Sequence, residues 1–486
     1  LRKKLQDPEF RKIEGFPIGS DEDILNLSDP PYYTACPNPW IADFIAEWEK
    51  EKKSLRSKVQ SPKSASSTLD LGPGTLDSTL DLRPETLDPK PYHREPFAAD
   101  VSEGKNHPIY NAHSYHTKVP HRAIMRYILH YTQPGDIVFD GFCGTGMTGV
   151  AAQMCGDREE VMALGYQVKP DGTILQEETD EDGKKTWKPF SKLGARKAVL
   201  NDLSPAATFI AYNYNTPVDV AAFEREAKRI LKEVEDECGW MYETLHTDGK
   251  TKGKINYTVW SDVFVCPECT REVVFWEAAV DKEAGKVHDE FPCPHCSSML
   301  TKRRMERAWT SKYDSALKQT IRQAKQVPVL INYSIGKTRH EKSPTENDLA
   351  LIDKIEQMEI PYWFPTDAIQ KGDKTGEPLR IGITHVHHFY TKRNLWVLAA
   401  ILSRAFTFKN ARLITWITSS MIRTTKMYKF TLDRKMGTVS GTLYIPSLWT
   451  ENGSLKLLKY KISDLKKAQS LCGINITHTS RLLKNS

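Results

Sequence analysis

Three groups of residues in this 486-residue chain have the types and spacing for chemistry. The first is the pair Gly144 and Gly146 in Asp140-Gly-Phe-Cys-Gly-Thr-Gly146. Without a Cβ, the backbone there can approach a ligand closely, and the helix start that follows offers unpaired N–H groups. The second is Asp202, at the end of the apolar run Ala198-Val-Leu200. A carboxylate in that place accepts two hydrogen bonds from a vicinal diol; capping of the next helix by Asp202 or Ser204 is the alternative. The third is a pair of knuckles, Cys266-Pro-Glu-Cys269 and Cys293-Pro-His-Cys296. At this separation four thiolates come within tetrahedral reach of one zinc ion, with no open position, so the expected zinc is structural. The histidines of Asn106–His116 lack ligand spacing. Those of Thr384–Tyr390 would alternate across a strand with no carboxylate near, so His385, His387 and His388 are expected to touch substrate or pack.

The elements that must position these residues can be placed from periodicity. Ile137 to Phe139 is a short apolar run after Pro134-Gly135, and Met147 to Cys155 has helical spacing and ends at Gly156. Strand, glycine turn and helix open a nucleotide-type α/β fold. Ala198–Asp202 is the second core strand, followed by a helix to Ala211. Between them, Val161–Val168 and Thr173–Glu177 read as strands joined by the turn Lys169-Pro-Asp-Gly172. Further on, Val218–Glu237 reads as a charged helix and Tyr257–Val265 as a β-rich run leading to the first cysteine pair. Lys312–Gln326 reads as a basic helix, Pro328–Tyr333 as a strand, and Asn347–Met358 and Thr391–Leu402 as helices. Arg412–Ile422 fits a helix or a core strand, and Thr442–Pro446 a short strand. The tail from Lys456 has too few apolar positions to be placed.

Composition bounds the class. Lys plus Arg at 68 against Asp plus Glu at 62 gives +6, an excess compatible with nucleic acid that does not by itself argue for it. No apolar stretch approaches a membrane span and no signal peptide is visible, which points to a cytoplasmic protein without membrane contact. In a reducing compartment the Cys-x-x-Cys pairs favour metal over disulfides. Leu1 in place of a methionine points to a fragment or a trimmed chain. Ser64–Pro91 contains the near-repeats Ser67-Thr-Leu-Asp-Leu71, Gly74-Thr-Leu-Asp77, Ser78-Thr-Leu-Asp-Leu82 and Glu85-Thr-Leu-Asp88. Their period is too short for a solenoid, so a disordered insertion is expected.

The run-up to the glycine loop adds a second kind of information. His116-Thr-Lys-Val-Pro-His121, the amphipathic stretch Arg122–Tyr131, Gln133-Pro-Gly-Asp136 and the glycine loop follow in an order and spacing that resemble the amino-group DNA methyltransferases. The departure is Gly141, where that family usually has proline. The resemblance implies a Rossmann-like core that binds S-adenosylmethionine. His116, Thr117, Lys118 and Pro120 would border its methionine end, and Asp140, Gly141, Phe142, Cys143, Gly144, Thr145 and Gly146 would cradle it. Asp202 would take the ribose, with Leu203 and Ser204 near the adenine. Asp29-Pro-Pro-Tyr32 matches the family's catalytic tetrapeptide. By that likeness Asp29, Pro30, Pro31 and Tyr32 are catalytic: Asp29 and the Pro30 carbonyl hold the exocyclic amine, and Tyr32 stacks on a base flipped out of duplex DNA. In the family this motif ends a buried strand, and Asn26-Leu-Ser28 is a poor one, so a structural turn stays open. Long bacterial and archaeal methylases that the chain resembles carry a further such motif after the region matching Gly441–Pro446.

The expected architecture is an α/β, Rossmann-like methyltransferase core with a zinc-ribbon insertion and a mixed α/β C-terminal region. Its expected parts are an N-terminal segment 1–50, the insertion 51–91, the core 92–235, the ribbon 236–310, and a remainder with a DNA-binding region, 311–486. Lys302–Arg307 is either a phosphate contact or a solvated face, while Phe389–Arg393 and the strip Arg423–Phe430 with Arg434–Gly437 are expected to face DNA. Asp-Pro-Pro-Tyr, rather than a Ser-Pro-Pro form, favours N6 of adenine as the target. N4 of cytosine, an RNA substrate, and a fragment whose catalytic loop lies outside the chain remain open. A restriction or defence partner is also compatible.

Overall fold

In the computed structural model, residues 5–12, 20–22, 94–179, 183–372, 374–407, 410–433, 436–439 and 441–473 are described. Asp29–Tyr32, the near-repeats and Arg434 lie outside them. Helices and sheets mix throughout, as an α/β chain requires. The chain divides into two compact units, Leu1–Asp100 with Ile124–Tyr212, and Val101–Ala123 with Asn213–Ser486.

In the first unit, helix α1 (His121–Tyr131) contributes its residues from Ile124 on and buries Met125, Ile128 and Leu129. Strand β1 (Ile137–Asp140) runs into the glycine loop, and helix α2 (Met147–Met154) leaves it. The expected strand at Val161 begins instead as a helix, Arg158–Ala163, because Asp157 caps it by accepting the Glu159 and Glu160 N–H groups. Only β2 (Gln167–Val168) is extended, and it joins β3 (Thr173–Thr179) and β4 (Lys185–Lys192) in an antiparallel sheet. Strand β5 (Lys197–Leu200) then pairs parallel to β1, Asp140 opposite Leu200, and leads to helix α3 (Pro205–Asn215). The parallel pairing matters because it brings the carboxyl ends of β1 and β5 side by side, where open α/β sheets place their ligands. The buried guanidinium of Arg196 locks the approach to β5, donating to the carbonyls of Thr132 at 2.9 Å and Gly194 at 2.5 Å.

The second unit is built on one long strand. After helix α4 (Val220–Cys238) and β6 (Glu243–Leu245), strand β7 (Lys252–Val265) runs for 14 residues. Its end pairs with β8 (Glu272–Val274) and β9 (Glu306–Arg307). A hairpin of β10 (Trp309–Asp314) and β11 (Gln319–Ala324) occupies the segment expected as a basic helix. Its residues are good helix formers, but the turn puts Lys318 in the left-handed region at φ 53° and the two halves pair in register from Trp309–Ala324 to Asp314–Gln319. Cross-strand pairing within the hairpin outweighs a propensity worth a few tenths of a kcal/mol per residue. Next, β12 (Gln326–Ile335) lies antiparallel to β7 and to β13 (Thr338–Lys342), and helix α5 (Glu346–Gln357) follows behind a Thr345/Asp348 capping box.

Helices α6 (Lys392–Thr407) and α7 (Ala411–Met421) follow; the second resolves the ambiguity at Arg412–Ile422 in favour of helix. No strand forms at Thr442–Pro446; β14 (Leu448–Asn452) adds to β7 instead. The tail forms helix α8 (Ser454–Gly473), which packs on α4 and α7 through Leu458, Ile462, Leu465 and Ala468. Those four positions repeat at helical spacing, a stripe masked by the lysines between them. Among the described residues, no helix is long and apolar enough to cross a membrane.

Candidate cofactor loop and cysteine centre

The loop after β1 is held from both sides. At its entry, Asp140 Oδ1 accepts the Phe142 N–H at 3.2 Å, and Oδ2 accepts the Thr148 hydroxyl, which ties β1 to the first turn of α2. Across the parallel pair, the Cys143 N–H donates to the Asn201 carbonyl at 2.8 Å, and the Asn201 side chain donates to the Gly141 carbonyl at 3.2 Å. Gly144 and Gly146 sit at φ 52° and 73°. In that left-handed region a Cβ costs roughly 1–2 kcal/mol, so the loop shape selects glycine at both places.

Asp202 has a task the sequence alone did not show. Its Oδ2 accepts the Gly144 N–H at 2.8 Å, and its Oδ1 accepts the Ser204 N–H at 2.9 Å. Ser204 in turn caps α3 by accepting the Ala207 N–H at 3.3 Å. The carboxylate therefore pins the glycine bend while its remaining lone pairs stay available. Thr145 is 2% exposed and its hydroxyl has no hydrogen-bond partner among the described residues, an unpaired buried polar atom between the two glycines. Phe142 and Leu203, 81% and 63% exposed, are large apolar groups left open beside it. The Cys143 thiol is pushed up to about 11 by burial and by the carboxylates of Asp140 and Asp202, so it stays protonated and is no nucleophile. Thr148 and Asn201 are the supports that sequence reading missed; a polar residue one turn into the helix and one before Asp202 were the available signals.

His116, Thr117, Lys118 and Pro120 belong to the second unit. There the Lys118 ammonium donates to the carbonyls of Tyr110 and His113 and lies 4.3 Å from the Tyr110 ring centroid, closing its own loop. Burial lowers it to about 7. His116 and Thr117 are exposed and Pro120 is buried. The His116 ring lies against Gly441, where a Cβ would come within 3.2 Å of it. His113 is buried and is held to about 4 chiefly by that burial; its Nδ1 faces the Ser114 carbonyl at 2.8 Å and its Nε2 the Thr418 hydroxyl at 3.0 Å.

The four knuckle cysteines converge. Cys266 and Cys296 sulfurs lie 3.8 Å apart, Cys269 and Cys293 sulfurs 3.9 Å, and all four lie within 4.8 Å of one another. Four sulfurs set tetrahedrally at about 2.3 Å from a zinc ion are about 3.8 Å apart, so the spacing fits that ion. The two knuckles have the same backbone plan. Thr270 N–H returns to the Cys266 carbonyl and Ser297 N–H to that of Cys293, both at 2.9 Å, with Thr270 and Ser297 left-handed at φ 56° and 61°. Cys266 and Cys293 enter a core with Phe264, Phe275, Phe291 and Leu300, which seats the cluster on the end of β7.

The expected basic strips mostly turn inward or pair. Arg393 is 5% exposed and bound to Glu451, itself 1% exposed; Phe389 is buried, and Thr424, Thr425, Lys426 and Phe430 are buried too. Arg304 and Arg307 are paired with Glu268 and Asp262 at 3.4 and 3.3 Å. Residues 386–389 form a 3-10 turn rather than a strand. Because of that turn His387 and His388 both reach Asp314, the carboxylate expected to be absent, at 2.9 and 2.8 Å.

The family model of N6/N4 methyltransferases, a DNA methylase, matches residues 22–173. Over that stretch the chain is similar to the amino-group DNA methyltransferases. The match spans Asp29–Tyr32, His116–Pro120 and Asp140–Gly146 and ends before Asp202 and the cysteines. No curated protein and no solved structure matches the chain.

Proposed function

We propose that this chain is a site-specific DNA methyltransferase that moves a methyl group to the exocyclic amine of a base, N6 of adenine. The observation that carries the reading is the loop of Gly144 and Gly146, bent left-handed at the carboxyl end of β1 and pinned by Asp202, inside the stretch that matches the family. S-adenosylmethionine fits this cradle: a glycine backbone without Cβ groups, a carboxylate with free lone pairs, an unpaired buried Thr145 hydroxyl and open apolar groups at Phe142 and Leu203. When bound it supplies an electrophilic methyl on a sulfonium centre. The protein's part is orientation. Asp29 and the Pro30 carbonyl accept the two amine N–H groups, so the nitrogen lone pair is free to point at the incoming carbon, and Tyr32 holds the flipped base by stacking. His116, Thr117, Lys118 and Pro120 belong to the methionine end in this reading. The core is Rossmann-like, with β1 and β5 as its first two strands.

The cysteine cluster is read as a structural zinc site that rigidifies the end of β7. DNA has a candidate track on the second unit. An open groove of about 840 Å³ is lined by Lys252, Lys254, Lys337, Arg339, Lys456 and Lys459. Against these six cations stand Glu235 and Glu243, which pair with Lys254 and Lys252. Such an excess along a groove suits a phosphate backbone. Incubation with labelled S-adenosylmethionine and duplex DNA or RNA, followed by nucleoside analysis, tests the proposal. N6-methyladenine in DNA, lost in Asp29→Ala, is the expected product. N4-methylcytosine or methylated RNA would replace the assigned target, and transfer that survives Asp29→Ala would remove the Asp29 loop from catalysis.

A further inference from the structure

The second unit contains a cavity of about 320 Å³ lined by the β10–β11 turn, the end of α5, the 386–389 turn and the start of α6. That is the lower end of the range, about 300–1,000 Å³, of small-molecule sites. Its unusual feature is Lys426. The side chain is buried, 9% exposed, and its ammonium makes no hydrogen bond or ion pair with any described residue. A buried charge is normally paired, because desolvating it alone costs several kcal/mol. The charges that face it are Lys312, Glu356 and Glu451, and Glu451 is already committed to Arg393. Lys312 and Lys392 line the same cavity. Lys312 stands 3.7 Å from Glu356, and Lys392 spends one donor on the Glu356 carbonyl at 2.7 Å. His387, another lining residue, keeps its Nδ1 buried without a hydrogen-bond partner.

Two ligand chemistries compete. Asp314, His387 and His388 gather three metal-type donors in one wall. Their hydrogen bonds speak against a cation. His388 Nδ1 accepts the Thr384 N–H at 3.3 Å, which leaves the proton on Nε2, and that N–H donates to Asp314 at 2.8 Å. A metal-bound imidazole needs the opposite arrangement, a bare nitrogen on the ion and the other N–H on a neighbour. The four lysines of the wall, Lys312, Lys318, Lys392 and Lys426, also outnumber its three carboxylates, Asp314, Glu356 and Glu359. Both observations favour an anion.

We propose that the cavity around Lys426 binds a phosphate group, with the ammonium groups of Lys426, Lys312 and Lys392 as its donors. The inference is independent of the methyl-transfer reading, since its test needs no methyl donor. The full chain, Lys426→Met and Lys392→Gln are titrated calorimetrically with inorganic pyrophosphate at constant ionic strength, with sodium chloride as the blank. Saturable binding is expected, at least tenfold weaker in both variants, with Lys426→Met unfolding at the same or a higher temperature because an unpaired buried charge has gone. If Lys426→Met does not fold, Lys392→Gln carries the comparison. A short DNA duplex that competes with pyrophosphate identifies the natural occupant as a backbone phosphodiester; absence of competition identifies a free phosphorylated compound. Pyrophosphate that gives no saturable heat, together with unchanged DNA affinity in the variants, overturns the proposal. So does manganese or zinc binding that is lost in Asp314→Asn while pyrophosphate stays silent.

Discussion

Replacing Glu451 by alanine is the most demanding test of the second unit's architecture. Glu451 is the hub of a buried network: it accepts Arg393 Nε at 2.6 Å, Arg393 Nη2 at 2.5 Å and Trp260 Nε1 at 2.8 Å, as well as the Thr391 hydroxyl. Burial alone would raise its pKa, but the Arg393 guanidinium overrides this and holds it low. In Glu451→Ala the guanidinium keeps Thr258 Oγ1 at 2.9 Å, the Met241 carbonyl at 3.3 Å and the Tyr242 ring at 5.3 Å from its centroid, but loses the carboxylate it is hydrogen-bonded to. Orphaning one member of a buried pair costs about 3–5 kcal/mol. At roughly 2–4 °C per kcal/mol for a domain of this size, the unfolding temperature should fall by on the order of 10 °C. Calorimetry on Glu451→Ala, Arg393→Met and the double variant Arg393→Met/Glu451→Leu reads this out; the double variant should recover most of the loss, because an apolar pair of similar volume is close to neutral there. A loss below about 1 kcal/mol in Glu451→Ala, the low range of an exposed pair, would refute the burial argument. So would an Arg393→Met protein of normal stability that has lost DNA affinity, which would return Arg393 to the surface role its sequence neighbourhood suggested.

Acid should weaken the fold through His113. Its pKa falls from the usual 6.5 to about 4, so between those values the unfolded chain takes up a proton that the folded chain refuses. Stability is therefore full above about 6.5 and is lost as pH drops toward 4, by up to roughly 3 kcal/mol at about 1.4 kcal/mol per unit. Denaturant melts across that window should flatten in His113→Asn; an unchanged slope would contradict the assignment. For the cysteine cluster, metal analysis should find one zinc ion per chain. A strong chelator, or Cys293→Ser, should release it and lower the unfolding temperature, since metal binding in such sites is folding free energy; a chain without zinc and indifferent to chelator would refute the structural role.

The glycine loop and the knuckles were legible in the sequence because their geometry is local. Gly144 and Gly146 must be left-handed for a turn spanning a few residues, and each Cys-x-x-Cys encodes its own bend. The supports were not legible because they join distant positions. Asp314 meets His387 and His388 across 73 and 74 residues, and Arg393 meets Glu451 across 58. The β10–β11 hairpin differs from the expected helix for another reason: Ala, Leu, Lys, Gln and Arg favour helix residue by residue, and the pairing of two neighbouring halves decides otherwise. The tail failed in the opposite direction. Leu458, Ile462, Leu465 and Ala468 do form a helical stripe, and intervening lysines hid it.

Isothermal titration of the folded, zinc-loaded chain with S-adenosylmethionine addresses the central claim most directly. One site per chain is expected, with affinity at least tenfold weaker in Asp202→Ala, where the Gly144 N–H loses its partner and the bend loosens. A folded, zinc-loaded protein that gives no heat and gains no thermal protection from that ligand would contradict the account.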